Sequence, residues 1–197
     1  AASRFDQIVT NFPDHQYAAV AVGSMFELYH KANNYEKIEY WAKWLIEHKN
    51  FKHYTATELE DTASFAIDRQ AVQYAEAGKI DEAVSTILRI ETSYPERKEH
   101  TTAARLKAAT FEESRKGWKA AVTLLEPLKT NADTPEHRAH AMYRSGVGLM
   151  QIARYAESAE AFENSARAVF ALADEKTSKS EPDEKSKKAK NASAKKG

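Results

Sequence analysis

Apolar residues along the chain recur with the spacing of amphipathic helices, and one pattern of them appears four times. The copies are Tyr35-x-x-Ile38-x-x-x-Ala42, Ile80-x-x-Ala83-x-x-x-Ile87, Trp118-x-x-Ala121-x-x-x-Leu125 and Tyr155-x-x-Ser158-x-x-x-Phe162. With a shortened copy at the start, Ala1-x-x-x-Phe5, the steps between last positions are 37, 45, 38 and 37 residues. A repeat of this length predicts stacked helix pairs that bury their apolar faces only against neighbouring pairs.

The spacing predicts nine helices, separated by breakers and short turns. They lie near residues 1–10, 16–32, 35–48, 57–77, 80–92, 97–115, 118–129, 135–152 and 155–173. Pro13, Pro95 and Pro135 fall between predicted pairs, and Gly78 and Gly117 suit left-handed C-caps at turns inside them. The fold class is therefore an all-α superhelix of about four and a half helix pairs.

The predicted organisation is one repeat domain followed by a tail. The domain covers residues 1–173, with a half repeat at 1–15 and repeats at about 16–51, 57–95, 97–131 and 135–173. Residues 174–197 hold Ser, Lys, Asp, Glu, Pro and Ala but no large apolar residue, so we expect a disordered, lysine-rich tail.

The longer step places an insertion at residues 50–57, where Thr57 and Glu60 have capping-box spacing. It follows an aromatic stretch that contains Trp41 and Trp44. In one interpretation Phe51 folds back over the tryptophans as a satellite core. In the other, Trp41, Trp44 and Phe51 form an exposed patch that docks a partner.

One copy carries a fuller motif: Ile67…Ala71-x-x-Tyr74-x-x-x-Gly78-x-Ile80-x-x-Ala83-x-x-x-Ile87-x-x-Ile90…Pro95. It resembles the tetratricopeptide repeat family. Other copies depart from that pattern, with Asn50 at a usual proline and Glu112 at the first-helix tyrosine.

The resemblance implies that the first helix of each pair lines a concave groove where partner segments bind. Carried over copy by copy, it gives the candidate groove residues Glu27, His30, Phe65, Asp68, Arg69, Lys107, His140, Tyr143, Arg144 and Met150. The lysine and asparagine that clamp a chaperone C-terminal carboxylate in some members are missing. A cochaperone role of that kind is therefore not expected.

Candidate chemistry is sparse in this sequence. There is no cysteine, no glycine-rich phosphate loop and no serine in a nucleophile context. His137 and His140 are three residues apart but lack a third ligand at matching spacing, and acids such as Glu112 lie on amphipathic helices. We therefore expect no catalysis, no metal and no cofactor, and a protein or peptide as the partner.

The net charge is zero, which argues against a dedicated nucleic-acid binder. Residues 185–197 nevertheless hold six lysines and no acid. This end is interpreted as solubilising, as a weak tether to anionic lipid, or as a non-specific contact for nucleic acid or an acidic protein.

Two further alternatives concern assembly. The first predicted helix lacks its partner helix, so Phe5, Ile8 and Phe12 would form an open face for a homo-oligomer. Alternatively, the chain is a regulatory domain of a larger enzyme lying upstream.

The location is predicted from a second resemblance. Phe5-x-x-Ile8-x-x-x-Phe12-Pro13-x-His15 and Ile87-x-x-Ile90-x-x-x-Tyr94-Pro95 resemble repeats of bacterial cell-envelope proteins that act as periplasmic adaptors. The expected location is the periplasm or cell envelope, with the cytoplasm as the alternative.

Overall fold

The computed structural model describes residues 2–48 and 51–180, and all regular elements in these ranges are α-helices. They are α1 (Ala2–Asn11), α2 (Ala18–Lys31), α3 (Tyr35–Glu47), α4 (Ala56–Glu76), α5 (Ile80–Ser93), α6 (Lys98–Ser114), α7 (Trp118–Leu125), α8 (Leu128–Asn131), α9 (Pro135–Gln151) and α10 (Tyr155–Ser180). The chain divides into unit 1, Ala1–Gly117, and unit 2, Trp118–Gly197. The all-α prediction is confirmed at this level.

Unit 1 is a series of helices in which each packs against the next, from α1 to α6. One core cluster of unit 1 joins α1 to α4 around Val9, Val22, Met25 and Leu45. In addition, α4 contacts α6, the helix after its neighbour. This contact between alternate helices brings first helices of successive predicted pairs side by side.

In unit 2, α9 contacts α7, α8 and α10. Glycines permit the close packing: a Cβ on Gly146 would lie 2.8 Å from the Phe162 ring, and one on Gly148 would lie 2.6 Å from Val122. The Ser158 hydroxyl donates to the Gly146 carbonyl over 2.8 Å. The motif position held by Ser158 is therefore a close-approach point between α9 and α10.

The same left-handed turn ends α2, α4, α6 and α9. The left-handed residues are Asn33, Gly78, Lys116 and Ala153, with φ of 52°, 75°, 63° and 60°. In each turn the next backbone N–H reaches back to a carbonyl in the last helical turn, as in Asn34 to Tyr29 at 2.9 Å. These turns recur after 45, 38 and 37 residues, in step with the sequence repeat.

The prediction that Gly117 is the left-handed C-cap residue of its turn is wrong. Lys116, and not Gly117, has the positive φ. A Cβ on Gly117 would instead collide with the carboxylate and backbone carbonyl of Glu112. The space beside Gly117 is occupied by the Glu112 side chain, which is what distinguishes this turn from those at Asn34, Lys79 and Arg154.

The start of α4 also differs from prediction. The capping box is formed by Thr55 and Glu58, whose side chains each bond the other's backbone N–H, and not by Thr57 and Glu60. Both pairs have the same Thr-x-x-Glu spacing. Starting the helix at Ala56 leaves Glu60 free to bind Arg97 of the segment before α6, at 3.0 Å.

Two predicted helices have other bounds. The helix expected at 118–129 is split into α7 and α8, because Pro127 has no N–H to continue the ladder. The last helix runs to Ser180 and not to 173. Residues 174–180 contain neither glycine nor proline, and extending an existing helix requires no new nucleus. The rest of the predicted tail, and Asn50 of the insertion, lie outside the described residues.

Candidate partner-binding surface

Six of the predicted groove residues lie in unit 1, on three helices. Glu27 and His30 are on α2, Phe65, Asp68 and Arg69 on α4, and Lys107 on α6. These six residues are here called the first-helix face. Contacts from α2 to α4 and from α4 to α6 connect them.

Three rings form the centre of this face. His30 stacks on Phe65 with ring centroids 5.9 Å apart and planes at 15°. Tyr35 meets both rings edge-on, at 5.7 Å from His30 and 6.1 Å from Phe65. Tyr35 is buried, whereas His30 is exposed and Phe65 is 45% exposed. This aromatic patch (His30, Tyr35, Phe65) therefore presents two rings to solvent on a buried support.

Acidic side chains on the face are already paired. The Lys107 ammonium lies 2.5 Å from the Asp68 carboxylate and ties α6 to α4. The Lys31 ammonium lies 2.6 Å from the Glu27 carboxylate, which lowers the pKa of Glu27. Because the Glu27 pair is exposed it contributes little stability, so its main effect is to neutralise local charge.

Arg69 has different surroundings. Its guanidinium carbon lies 5.5 Å from the centre of the Tyr35 ring, at the distance of a cation–π contact. The Tyr35 hydroxyl is the main reason that the pKa of Arg69 is raised above its ordinary value. The residue is thus a permanent cation lying against the aromatic patch.

Tyr35 is the residue of this surface that the sequence reasoning missed as a site. It was identified only as the first position of a motif copy. Asn34 caps α3 by accepting from the Lys37 N–H at 3.2 Å, so α3 begins at Tyr35, directly after the turn from α2. An aromatic residue immediately after a two-residue turn was the available signal, because such a position packs against the end of the preceding helix.

The other four predicted groove residues lie on α9 of unit 2. His140 and Tyr143 line a cleft of about 540 Å³ between α9 and α10, together with Val169 and Leu172 of α10. Arg144 is half-buried and Met150 is exposed. The two α10 residues were not predicted, since the carried-over groove used first helices only.

The alternative of an exposed tryptophan patch does not fit the structure. Trp41 and Phe51 are each 5% exposed and belong to the core cluster of unit 1, and Trp44 packs partly buried against it. Phe51 stacks on Tyr54 at 5.9 Å, and Trp44 stacks on His48 at 3.7 Å. The insertion covers the tryptophans because this removes their large apolar surface from water.

The first helix is less open than expected. Phe5 and Ile8 pack against the same core, and Val9 beside them is fully buried. Only Phe12 of the expected face is largely exposed, at 61%. The reason is that α1 packs on α2, the helix that follows it, and this contact covers most of the apolar side of α1.

Metal-ligating side chains do not cluster in the part of the chain that the structure describes. Within it, no three His, Asp or Glu side chains lie close enough to hold a metal ion. His137 contacts the Asp133 carboxylate at 2.6 Å. Glu112, expected on a solvated face, is buried and accepts two hydrogen bonds from Arg115 at 2.7 and 2.9 Å. The described helices also lack one long and apolar enough to cross a membrane.

Comparisons with known proteins give little further information. No family model matches the chain, and no curated protein matches it. Among solved structures, BtubC (BKLC) from P. vanneervenii matches with 10% identity and a TM-score of 0.34, over 87% of each chain. A likeness at this level supports no argument about family or function.

Proposed function

We propose that the protein is a non-catalytic scaffold or adaptor that holds a segment of a partner protein on the first-helix face. The observation that carries this proposal is the contact chain from His30 through Phe65 and Asp68 to Lys107. It joins three helices into one surface with exposed rings and charges. Surfaces that combine an apolar anchor with a polar rim are typical of protein recognition.

We also propose that the helices form a tetratricopeptide-like series of pairs. The support is the recurrence of the left-handed turn at Asn33, Gly78, Lys116 and Ala153 and, in unit 1, the packing of α4 against both α5 and α6. In such a series the binding surface exists before the partner arrives. A preformed surface needs little ordering on binding, which favours affinity.

The test is capture of the natural partner by the purified chain. Arg69→Glu and Phe65→Ala should each reduce capture from an extract of the source cells, while the circular dichroism spectrum stays helical. Arg144→Glu tests the proposed contribution of α9 in the same assay. Lys119→Glu, on the exposed side of α7, is the matched control and should capture as the wild type does. Unchanged capture by all three variants would refute the adaptor function on these residues.

Self-association is the second candidate. Phe12, Tyr17 and Val20, close together in sequence, are all more than 60% exposed. Light scattering over a hundredfold concentration range should show growing mass if these residues form a homo-oligomer contact, and Phe12→Ser should reduce it. A constant monomer mass would exclude this candidate.

We further propose a bacterial cell-envelope location, supported by the Phe12-Pro13 and Tyr94-Pro95 resemblance. Fractionation of cells that express the full-length gene product tests this. Recovery in the cytoplasm would favour the alternative.

A further inference from the structure

The charge of the first-helix face is unbalanced at one residue. Glu27 is neutralised by Lys31 and Asp68 by Lys107. Among the described residues, no carboxylate lies within ion-pair distance of the Arg69 guanidinium, whose close neighbour is the Tyr35 ring. Arg69 is therefore a cation of this face that makes no ion pair among the described residues, with the Asp68 and Glu76 carboxylates as its nearby charges.

Of the two exposed rings on this face, that of Phe65 lies close to Arg69 along α4. Phe65 and Arg69 are four residues apart on α4, so their Cβ atoms are about 5–6 Å apart on one side of the helix. Both side chains also contact Tyr35, which is buried and fixes their relative position. An apolar site and a cationic site are thus adjacent and held by one rigid residue.

This spacing matches one geometry of an extended peptide. Side chains two residues apart in a strand lie on the same side, about 6.6–6.8 Å from each other. An aromatic side chain can then lie on the His30 and Phe65 rings while a carboxylate two positions along reaches Arg69. Arginine binds carboxylates through two parallel hydrogen bonds, which makes the recognition directional.

Nucleic acid is the competing ligand, since bases stack on aromatic side chains and phosphates bind arginine. Arg69 is, however, a single cation without an ion pair among the described residues, and the charges near it are the Asp68 and Glu76 carboxylates. A phosphate backbone would need several cations in a row. The charge of the face is therefore better matched to one carboxylate than to a polyanion.

We propose that the first-helix face selects an extended protein segment with the pattern aromatic-x-Asp/Glu, with the ring on the aromatic patch and the carboxylate on Arg69. This inference rests on the proposed adaptor function and names the chemistry of its partner. The affinity should depend on both positions of the segment and on the charge at residue 69.

The test uses fluorescently labelled eleven-residue Gly/Ser peptides that contain Phe-x-Glu, Phe-x-Lys or Ala-x-Glu at the centre. Anisotropy with the full chain should show at least about tenfold tighter binding of Phe-x-Glu than of either other peptide, as a charge-assisted hydrogen bond would give. Arg69→Glu should reverse the preference in favour of Phe-x-Lys, and Phe65→Ala should weaken both Phe peptides. Arg167→Gln, whose side chain is exposed on α10, should bind as the wild type does.

The reversal of preference is informative even if affinity falls overall, because a merely unfolded variant would bind neither peptide. Equal binding of Phe-x-Glu and Phe-x-Lys by the wild type, or no binding of any peptide, would overturn the inference. So would tighter binding of a labelled single-stranded RNA than of Phe-x-Glu. If partner capture still depends on Arg69 and Phe65 in those cases, the adaptor function stands and only the proposed ligand pattern is wrong.

Discussion

Single residues of unit 1 show how polar groups are placed inside a helical core. The buried Glu39 carboxylate accepts hydrogen bonds from Gln70 at 2.7 Å, from Lys43 at 2.8 Å and from Arg89, so its charge is satisfied from three helices. The Tyr94 hydroxyl is buried without a hydrogen-bond partner among the described residues. Burial, and then the Glu39 charge, raise the pKa of Tyr94 to about 12.

Tyr94→Phe is expected to leave stability at pH 7 unchanged or slightly higher, because an unsatisfied buried hydroxyl is removed. Because folding raises the pKa of Tyr94, the unfolded chain loses this proton first, so the free energy of unfolding falls as the pH rises from 10, the ordinary value, to about 12. Urea unfolding of both proteins between pH 8 and 12 measures this. The wild type should lose more stability than the variant between pH 10 and 12; parallel curves would contradict the prediction.

Four of the helices end in the same kind of turn. The turn residues Asn33, Gly78, Lys116 and Ala153 share one left-handed conformation, although only one of them is glycine. A non-glycine residue in this region is strained by roughly 1 kcal/mol. The helix ends are therefore set by the recurring turn geometry and not by glycine placement alone.

Two opposite substitutions test that strain. Gly78→Ala should lower the free energy of unfolding by about 1 kcal/mol, and Ala153→Gly should raise it by up to a similar amount. Both positions are exposed, so neither change alters core packing. Thermal and urea unfolding of the two variants measure the effect, and changes of the same sign in both would contradict it.

The start of α4 allows a second test at this scale. Thr55→Ala should lower the free energy of unfolding by about 1 kcal/mol, because the Glu58 N–H loses its side-chain acceptor at 3.2 Å. Urea unfolding measures the loss. Thr57→Ala, with the same change of residue two positions on, is the matched control and should cost nothing measurable. An equal loss in both variants would show that the cap does not begin at Thr55.

At the scale of the whole molecule the charge is divided along the chain. Residues 181–197 contain six lysines and three acids, whereas the complete chain is neutral. The preceding residues are therefore acidic overall. This division is a property of the sequence and holds whatever the arrangement of the two units.

Removal of residues 181–197 tests the basic end. The full chain should sediment with anionic vesicles at low salt and be released as the salt rises, since each lysine near an anionic surface contributes about 1 kcal/mol. The shortened chain should not sediment, and neither chain should sediment with neutral vesicles. Equal sedimentation of both chains would exclude the basic end as a membrane tether.

The sequence by itself determined the helical class, the period of the repeat and most helix positions. The spacing of apolar residues indicates which side of a helix is buried, and it can be read from each segment without knowing the rest of the fold. Through the resemblance of its repeats to a known family, the sequence also supplied the candidates for one face on α2, α4 and α6. It did not reveal the break at Pro127, the extension to Ser180 or the cap at Thr55. Thr55 and Thr57 satisfy the same capping rule, Pro127 interrupts an otherwise helical apolar pattern, and residues 174–180 contain no apolar residue that would indicate a helix.

Only the tertiary structure decided which side chains meet. The sequence allowed the tryptophans to be covered or exposed, and the fold buries Trp41 and Phe51 in the core. The sequence indicated no binding role for Tyr35. In the fold, α3 begins directly after the turn from α2, and the Tyr35 ring contacts both His30 and Phe65. The contacts of Phe65 with Tyr35 and with His30 join residues 30 and 35 positions apart in the chain. Their formation depends on how whole helices pack, which no local pattern of residues encodes.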